Sequence, residues 1–202
     1  MSEFRKKYMK GYLEEVRQCL VAMEGQLDVF DELGQMLLDT RERGATVFLC
    51  GNGGSASCAS HFTSDLAKGT IHPKEARFRV LSLADNIPLM TAWGNDSSYA
   101  DIFVEQLKNL MKPGDLVIGI SGSGNSPNVL KTIEWARANG AKTVSITGFQ
   151  GGKMASAAEW AYVIPLHYMQ QIEDLHMLIE HMVTSSIREE FHAKHGTDPK
   201  GC

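Results

Sequence analysis

Three serines crowd into the six residues Ser121-Gly122-Ser123-Gly124-Asn125-Ser126, directly after the apolar run Leu116-Val117-Ile118-Gly119-Ile120. A buried strand that ends in small hydroxyl and glycine residues and then enters a helix is suited to holding an anion. Strand ends expose backbone N–H groups, glycine lets the anion approach them, and the next helix adds the positive end of its dipole. A second turn of this kind, Gly51-Asn52-Gly53-Gly54-Ser55, follows the run Val47-Phe48-Leu49-Cys50. Two such turns in one chain suggest a phosphorylated ligand lying across the strand ends.

A different chemistry is spaced along two segments of helical pattern. His61 and Asp65 are four residues apart, which places them on one helix face. Glu173, His176 and His181 lie on a long C-terminal segment. Glu173 and His176 are three apart, and Glu173 and His181 are separated by a little over two turns, a shared face roughly 80° wide. Two histidines and two carboxylates from two helices could form a tetrahedral site for zinc or a similar ion. Singly, each feature has a plainer reading: a surface ion pair, a solvated helix face, a capped turn for the serines, an ordinary turn for Gly94-Asn95-Asp96. Their joint occurrence, in this order, favours a site.

The elements that must position these residues follow from hydrophobic periodicity. Leu20, Met23, Leu27, Phe30, Leu33, Met36 and Leu37 recur at three- and four-residue steps, predicting helix up to about Arg43, with Gly25 dividing it in two. Strands are predicted at 45–50, 79–83, 116–120, 143–147 and 161–166, the last an edge strand because of Pro165. Helices are predicted at about 55–68, 99–111, 127–139 and 170–192, with a helix-and-turn region through 87–93 and a short helix after Gly151-Gly152-Lys153. Strands alternating with helices imply an α/β fold: a single doubly wound, parallel, five-stranded sheet with helices on both faces. Its ligand crevice should lie outside the carboxyl ends of the strands, where both glycine turns fall. The chain divides into N-terminal helices (1–44), a sheet domain (45–192) and a flexible tail (193–202).

Composition narrows the function classes. The chain has 202 residues, 43% hydrophobic and 22% charged, and a formal charge of −4, which supplies no basic field for nucleic acid. No apolar run approaches membrane-spanning length, and the N-terminus lacks the apolar core of a secretion signal. The expectation is a soluble, cytoplasmic protein with neither a nucleic-acid nor a membrane partner. Cys19, Cys50, Cys58 and Cys202 show no CxxC spacing, so neither a disulfide framework nor a cysteine zinc site is indicated. Phe62 and Trp93, beside the motif residues, read as packing groups.

Taken together, CGNGGSASCASHF at 50–62, GND at 94–96, GDLVIGISGSGNSPNV at 114–129, TGFQGGKM at 147–154 and IEDLHMLIEH at 172–181 resemble the sugar isomerase (SIS) domain family over nearly the whole chain. The resemblance is greatest to the branch that isomerises phosphorylated heptoses. It implies an aldose–ketose isomerase of a phosphosugar, sedoheptulose 7-phosphate to D-glycero-D-manno-heptose 7-phosphate, working through a metal-assisted enediol and assembled as a homotetramer. Alternatives within the family are a non-catalytic phosphosugar-binding regulator and an isomerase of a different phosphosugar. By the same resemblance, Asn52, Gly53, Gly54, Ser55, Asn95 and Asp96 line the sugar phosphate, and Ser121, Gly122, Ser123 and Ser126 grip its phosphate. His61, Asp65, Glu173 and His181 would bind one divalent ion, zinc. Asp65 or Glu173 would take the proton, and His181 would act as the acid.

The sequence departs from the family pattern at several of these positions. Asp65 stands where the family has Glu, and Glu173 where it has Gln. Ser121-Gly122-Ser123 replaces Ser-Thr-Ser. Lys68 lies where an arginine is usual just after the carboxylate. The shorter Asp65 withdraws its carboxylate by about one bond, roughly 1.5 Å, so Glu173 is expected to compensate as a ligand or as the base.

Overall fold

A computed structural model describes residues 2–198. The elements are α1 (Ser2–Glu24), α2 (Leu27–Glu42), β1 (Thr46–Cys50), α3 (Gly54–Ser64), β2 (Arg79–Ser82), α4 (Ile87–Asp96), α5 (Val104–Leu110), β3 (Leu116–Ser121), α6 (Pro127–Ala138), β4 (Lys142–Thr147), α7 (Met154–Ala157), β5 (Trp160–Val163) and α8 (Met169–His195). A π-helical turn, Asp65–Gly69, continues α3, and a 3-10 turn, Tyr99–Asp101, precedes α5.

The five strands form one parallel sheet in the order β2-β1-β3-β4-β5. β3 is buried along its whole length, as expected of a central strand covered by helices on both faces. Its side chains alternate between two cores. Leu116, Ile118 and Ile120 face α2, α3 and α8, together with Phe62, Leu66, Ile172, Leu175 and Ile179. Val117 points the other way, with Phe103, Leu107, Val129 and Ile133 of the α5–α6 side. In this strand order the winding reverses between β1 and β3, which are hydrogen-bonded neighbours with Cys50 opposite Gly119. The crevice at that reversal lies beyond the carboxyl ends of β1 and β3, so the two glycine turns meet there.

Several boundaries differ from expectation for identifiable reasons. Gly94-Asn95-Asp96 is not a turn but the end of α4, which opens on an Asn86 cap and Pro88. The helix expected at 99–111 is a 3-10 turn followed by the shorter α5. β5 stops at Val163, ahead of Pro165, which has no N–H to give a ladder. The tail expected from 193 begins later: α8 runs on to His195 and is ended by Gly196 in the left-handed region at φ 65°. Residues 199–202 of that tail lie outside the described residues.

Two attachments fix α8. Near its start, the Tyr12 hydroxyl of α1 donates to Asp174, and Gln171 Nε2 donates to Glu15 at 2.8 Å. At its end, Glu75 of the loop between the π turn and β2 receives Lys194 at 2.8 Å and His195 at 2.7 Å, and Arg41 of α2 lies 3.1 Å from its other oxygen. Lys194 and His195 hold the Glu75 carboxyl down at about 2.

Candidate active site

The first half of the site is an anion cradle. Asn52, Gly53, Gly54, Ser55, Ser121, Gly122, Ser123 and Ser126 line one pocket, joined by Met169 and Glu173 of α8. Gly53 sits at φ 55°, a conformation costly to any other residue, and caps α3. Ser126 is the residue before α6, yet its side chain makes no capping bond. Its hydroxyl lies instead 3.0 Å from that of Ser121, so two hydroxyls converge where α6 begins. Asn52 is locked by a reciprocal amide pair with Asn128, at 2.8 and 2.9 Å, and accepts a bond from the Tyr99 hydroxyl at 3.1 Å.

The second half is a group of ligating side chains. His61 of α3 and His181 of α8 face each other with 2.9 Å between their Nε2 atoms. Asp65, first residue of the π turn, places Oδ1 3.8 Å from His61 Nε2 and Oδ2 3.8 Å from His181 Nε2. That turn is closed by Thr70 N–H donating to the Asp65 carbonyl, the five-residue step of a π-helix, a local widening often found at functional sites. Glu180 completes the group: its Oε1 lies 3.2 Å from His181 Nε2 and 3.5 Å from His61 Nε2. One ligand atom from each of the four residues falls within 4.8 Å of all the others. Glu180 is fully buried, whereas His61, Asp65 and His181 are partly exposed. Burial, with the Asp65 carboxylate adding to it, pushes Glu180 up to about 8.

Glu173 is not in that group. It lies at the cradle, where a Cβ on Gly54 would run into its carboxylate. The reason is the alignment of the two helices. Gly54 meets Glu173, and His61, seven residues on, meets Glu180, seven residues on from Glu173. Seven residues bring a helix back to within about 20° of its starting face, so Glu180 shares the Glu173 stripe more closely than His181 does. That heptad is the signal in the sequence that points to Glu180. Asn95 and Asp96 do not line the cradle. They end α4, with Asn95 Nδ2 donating to Asp96 at 2.8 Å, and their segment reaches the cradle through Tyr99. Sequence patterning did not single out Met169, which lines the cradle, or Asn128 and Tyr99, which hold its Asn52 in place. Phe62 is wholly buried in the core, as are Cys50 and Cys58, whose thiols burial pushes up to about 12.

The donor set suits a divalent ion. Ligands at the apices of a zinc tetrahedron with bonds of 2.0–2.2 Å stand about 3.4 Å apart; the separations that involve a histidine here run from 2.9 to 3.8 Å, and all four ligand atoms fall within 4.8 Å of one another. Neither Glu180 oxygen has a hydrogen-bond partner among the described residues, which leaves both free to ligate a cation.

A parallel α/β sheet with a serine- and glycine-lined cradle at its switch point, beside a two-histidine, two-carboxylate group, defines a domain for a phosphorylated small molecule. The chain belongs to the SIS domain family, whose pattern matches residues 11–148, and within it to the phosphoheptose isomerases. It is 32% identical to the phosphoheptose isomerase of Akkermansia muciniphila over 192 residues, 95% of this chain and 99% of that one. It is 34% identical to the phosphoheptose isomerase of Helicobacter pylori over 182 residues, 90% and 94% of the two chains. The solved phosphoheptose isomerase of Neisseria gonorrhoeae has a TM-score of 0.84 at 25% identity, covering 91% of this chain and 98% of that one. The protein is an isomerase of this family.

Proposed function

We propose that the protein interconverts sedoheptulose 7-phosphate and D-glycero-D-manno-heptose 7-phosphate. The observation that carries this reading is the distance between the halves of the site. From Gly54 to His61 on α3, and from Glu173 to Glu180 on α8, the separation is seven residues, about 10 Å of helix. Six C–C bonds of about 1.5 Å in zigzag, with the C–O–P link, give an extended heptose 7-phosphate a reach of roughly 10 Å. Its phosphate would lie among Ser121, Gly122, Ser123 and Ser126, with C1 and C2 at the Asp65–His181 end.

Each side chain then has a task. The cradle binds the phosphate and fixes the sugar far from the reacting carbons, so binding energy is spent on position. Asp65, at the reacting end and open to solvent, removes a proton from C1 of the ketose and returns it to C2, passing through the enediol. His181 gives a proton to the carbonyl oxygen at C2 and accepts one from the hydroxyl at C1. Glu173 lines the cradle, outside the His61–His181 group, and would hydrogen-bond hydroxyls of the middle carbons. A divalent ion, zinc by its donor set, would be held by His61, Asp65 and His181 and would supply Lewis-acid polarisation of the carbonyl. The electrons stay within the sugar, so no redox cofactor enters the equation.

The reading extends to assembly. α1 buries only Cys19 and Met23 and exposes Phe4, Tyr8, Met9 and Leu13, while α4 carries exposed Ile87 and Leu89 and buries nothing. Apolar faces of this kind favour association, and we assign α1 to the interfaces of a homotetramer, with α2 belonging to the core. A phosphorylated sugar does not cross membranes unaided, and we assign the reaction to the cytoplasm as the compartment where such sugars are made. Among the described residues no helix is long and apolar enough to cross a membrane.

The test is to incubate the pure protein with sedoheptulose 7-phosphate, with and without a chelator, and to follow the aldose product while light scattering reports the mass. No product in either arm rejects the substrate. Full turnover by protein shown to be metal-free rejects the ion.

A further inference from the structure

Glu180 poses a physical problem that the roles assigned above do not solve. A fully buried carboxylate without hydrogen bonds is costly to keep charged. Neither of its oxygens finds a hydrogen-bond partner among the described residues, and its near polar neighbours are the two imidazole nitrogens at 3.2 and 3.5 Å. Those contacts have the separation of neighbouring ligands around one small ion (about 3.4 Å) rather than the geometry of hydrogen bonds. Glu173, the other acid on the same stripe of α8, is occupied elsewhere, against Gly54.

We propose that Glu180 is a protein ligand of the divalent ion, forming a two-nitrogen, two-oxygen set with His61, Asp65 and His181. The proposal rests on the reading of the His61–His181 pair as an ion site and specifies its fourth member. It also accounts for the contrast between the carboxylates: the buried Glu180 serves the ion alone, and the half-exposed Asp65 keeps its second oxygen for proton transfer.

The test measures zinc affinity by competition with a chromophoric chelator, on apo-protein stripped by dialysis, together with thermal unfolding with and without zinc. Glu180→Gln is expected to lower zinc affinity on the order of 10- to 100-fold or more and to lose most of the zinc-induced rise in Tm. Apo Glu180→Gln should melt no lower than apo wild type, because the carboxyl makes no hydrogen bond for the substitution to break; a purely structural Glu180 would give a lower melt. Glu180→Asp, which keeps the charge and shortens the reach, should also lose affinity, and it serves if the Gln variant does not fold. Wild-type zinc affinity in the Glu180 variants overturns the proposal while leaving the ion site standing. Zinc binding untouched by His61→Ala overturns the ion site itself, and the proposal with it.

Discussion

The Nε2 atoms of His61 and His181 meet at 2.9 Å although 120 residues separate them in the chain. Only one proton fits between two imidazole nitrogens, so in the free protein one ring donates and the other accepts. The contact joins α3 to α8 where two imidazoles and two carboxylates converge, and it brings the acid assigned to the reaction next to the Asp65 carboxylate.

Asp65→Asn keeps the size of the side chain and removes the base. We expect kcat to fall on the order of 10²- to 10⁴-fold with KM changed little, measured by steady-state conversion of sedoheptulose 7-phosphate. A rate within threefold of wild type would move the base to another residue.

Ser121→Ala and Ser126→Ala each remove one hydroxyl from the cradle. Hydrogen bonds to a charged group contribute about 1.5–3 kcal/mol, so kcat/KM should fall about 10- to 100-fold, chiefly through KM. The hydroxyls lie 3.0 Å apart, so the double variant should lose less than the product of the two single losses. Zinc affinity should not change. An equal effect on zinc would show that the two halves of the site are not independent.

Gly54→Ala tests the placement of Glu173. The new methyl runs into the Glu173 carboxylate, the mobile end of a long side chain, so the fold tolerates it while the carboxylate shifts. A displacement near 1 Å can cost about a hundredfold in rate, and we expect at least a tenfold loss of kcat/KM with little change in Tm. In a Glu173→Ala background the same substitution should cost almost nothing. Additive losses would mean that the two positions do not touch in solution.

His176 governs part of the acid stability. Both its ring nitrogens are buried without hydrogen-bond partners among the described residues, and burial pulls its pKa down from 6.5 to about 4. The unfolded chain binds the proton more readily. Stability is therefore full above about 6.5 and is lost as the pH falls towards 4, by an amount on the order of 3 kcal/mol. Urea midpoints taken between pH 7 and 4.5 should fall more steeply for wild type than for His176→Leu. Parallel slopes would refute the assignment.

Much of this architecture is legible in the sequence because it is written in short-range patterns. The apolar runs before Gly51 and Ser121, the serine spacing, and the four-residue step from His61 to Asp65 are each local. They place two turns at the rim of a parallel sheet and one pair of side chains on a helix. Glu173 and Glu180 mark where local pattern stops. Which of them meets His61 depends on the registration of α8 against α3, set by side chains from both helices in a shared core and by ties to α1 and Glu75. Read from the sequence alone, Glu173 is the ligand; the seven-residue step to Glu180 becomes informative only once packing has set Glu173 opposite Gly54. The end of α4 is a similar case: Asn95 and Asp96 have turn-forming side chains, and the helix that begins at the Asn86 cap runs through them.

α3 and α8 lie side by side on one sheet, and α8 is tied at both ends, near its start by Tyr12 and Gln171 and at its end by Glu75. Neither can slide along the other without breaking those ties, so the gap between the serines and the imidazoles behaves as a fixed gauge. A pentose or hexose phosphate gripped by the serines would leave its carbonyl short of Asp65, whatever the arrangement of its hydroxyls. Discrimination among sugars would then be a matter of length, enforced by the scaffold before any single hydroxyl is read.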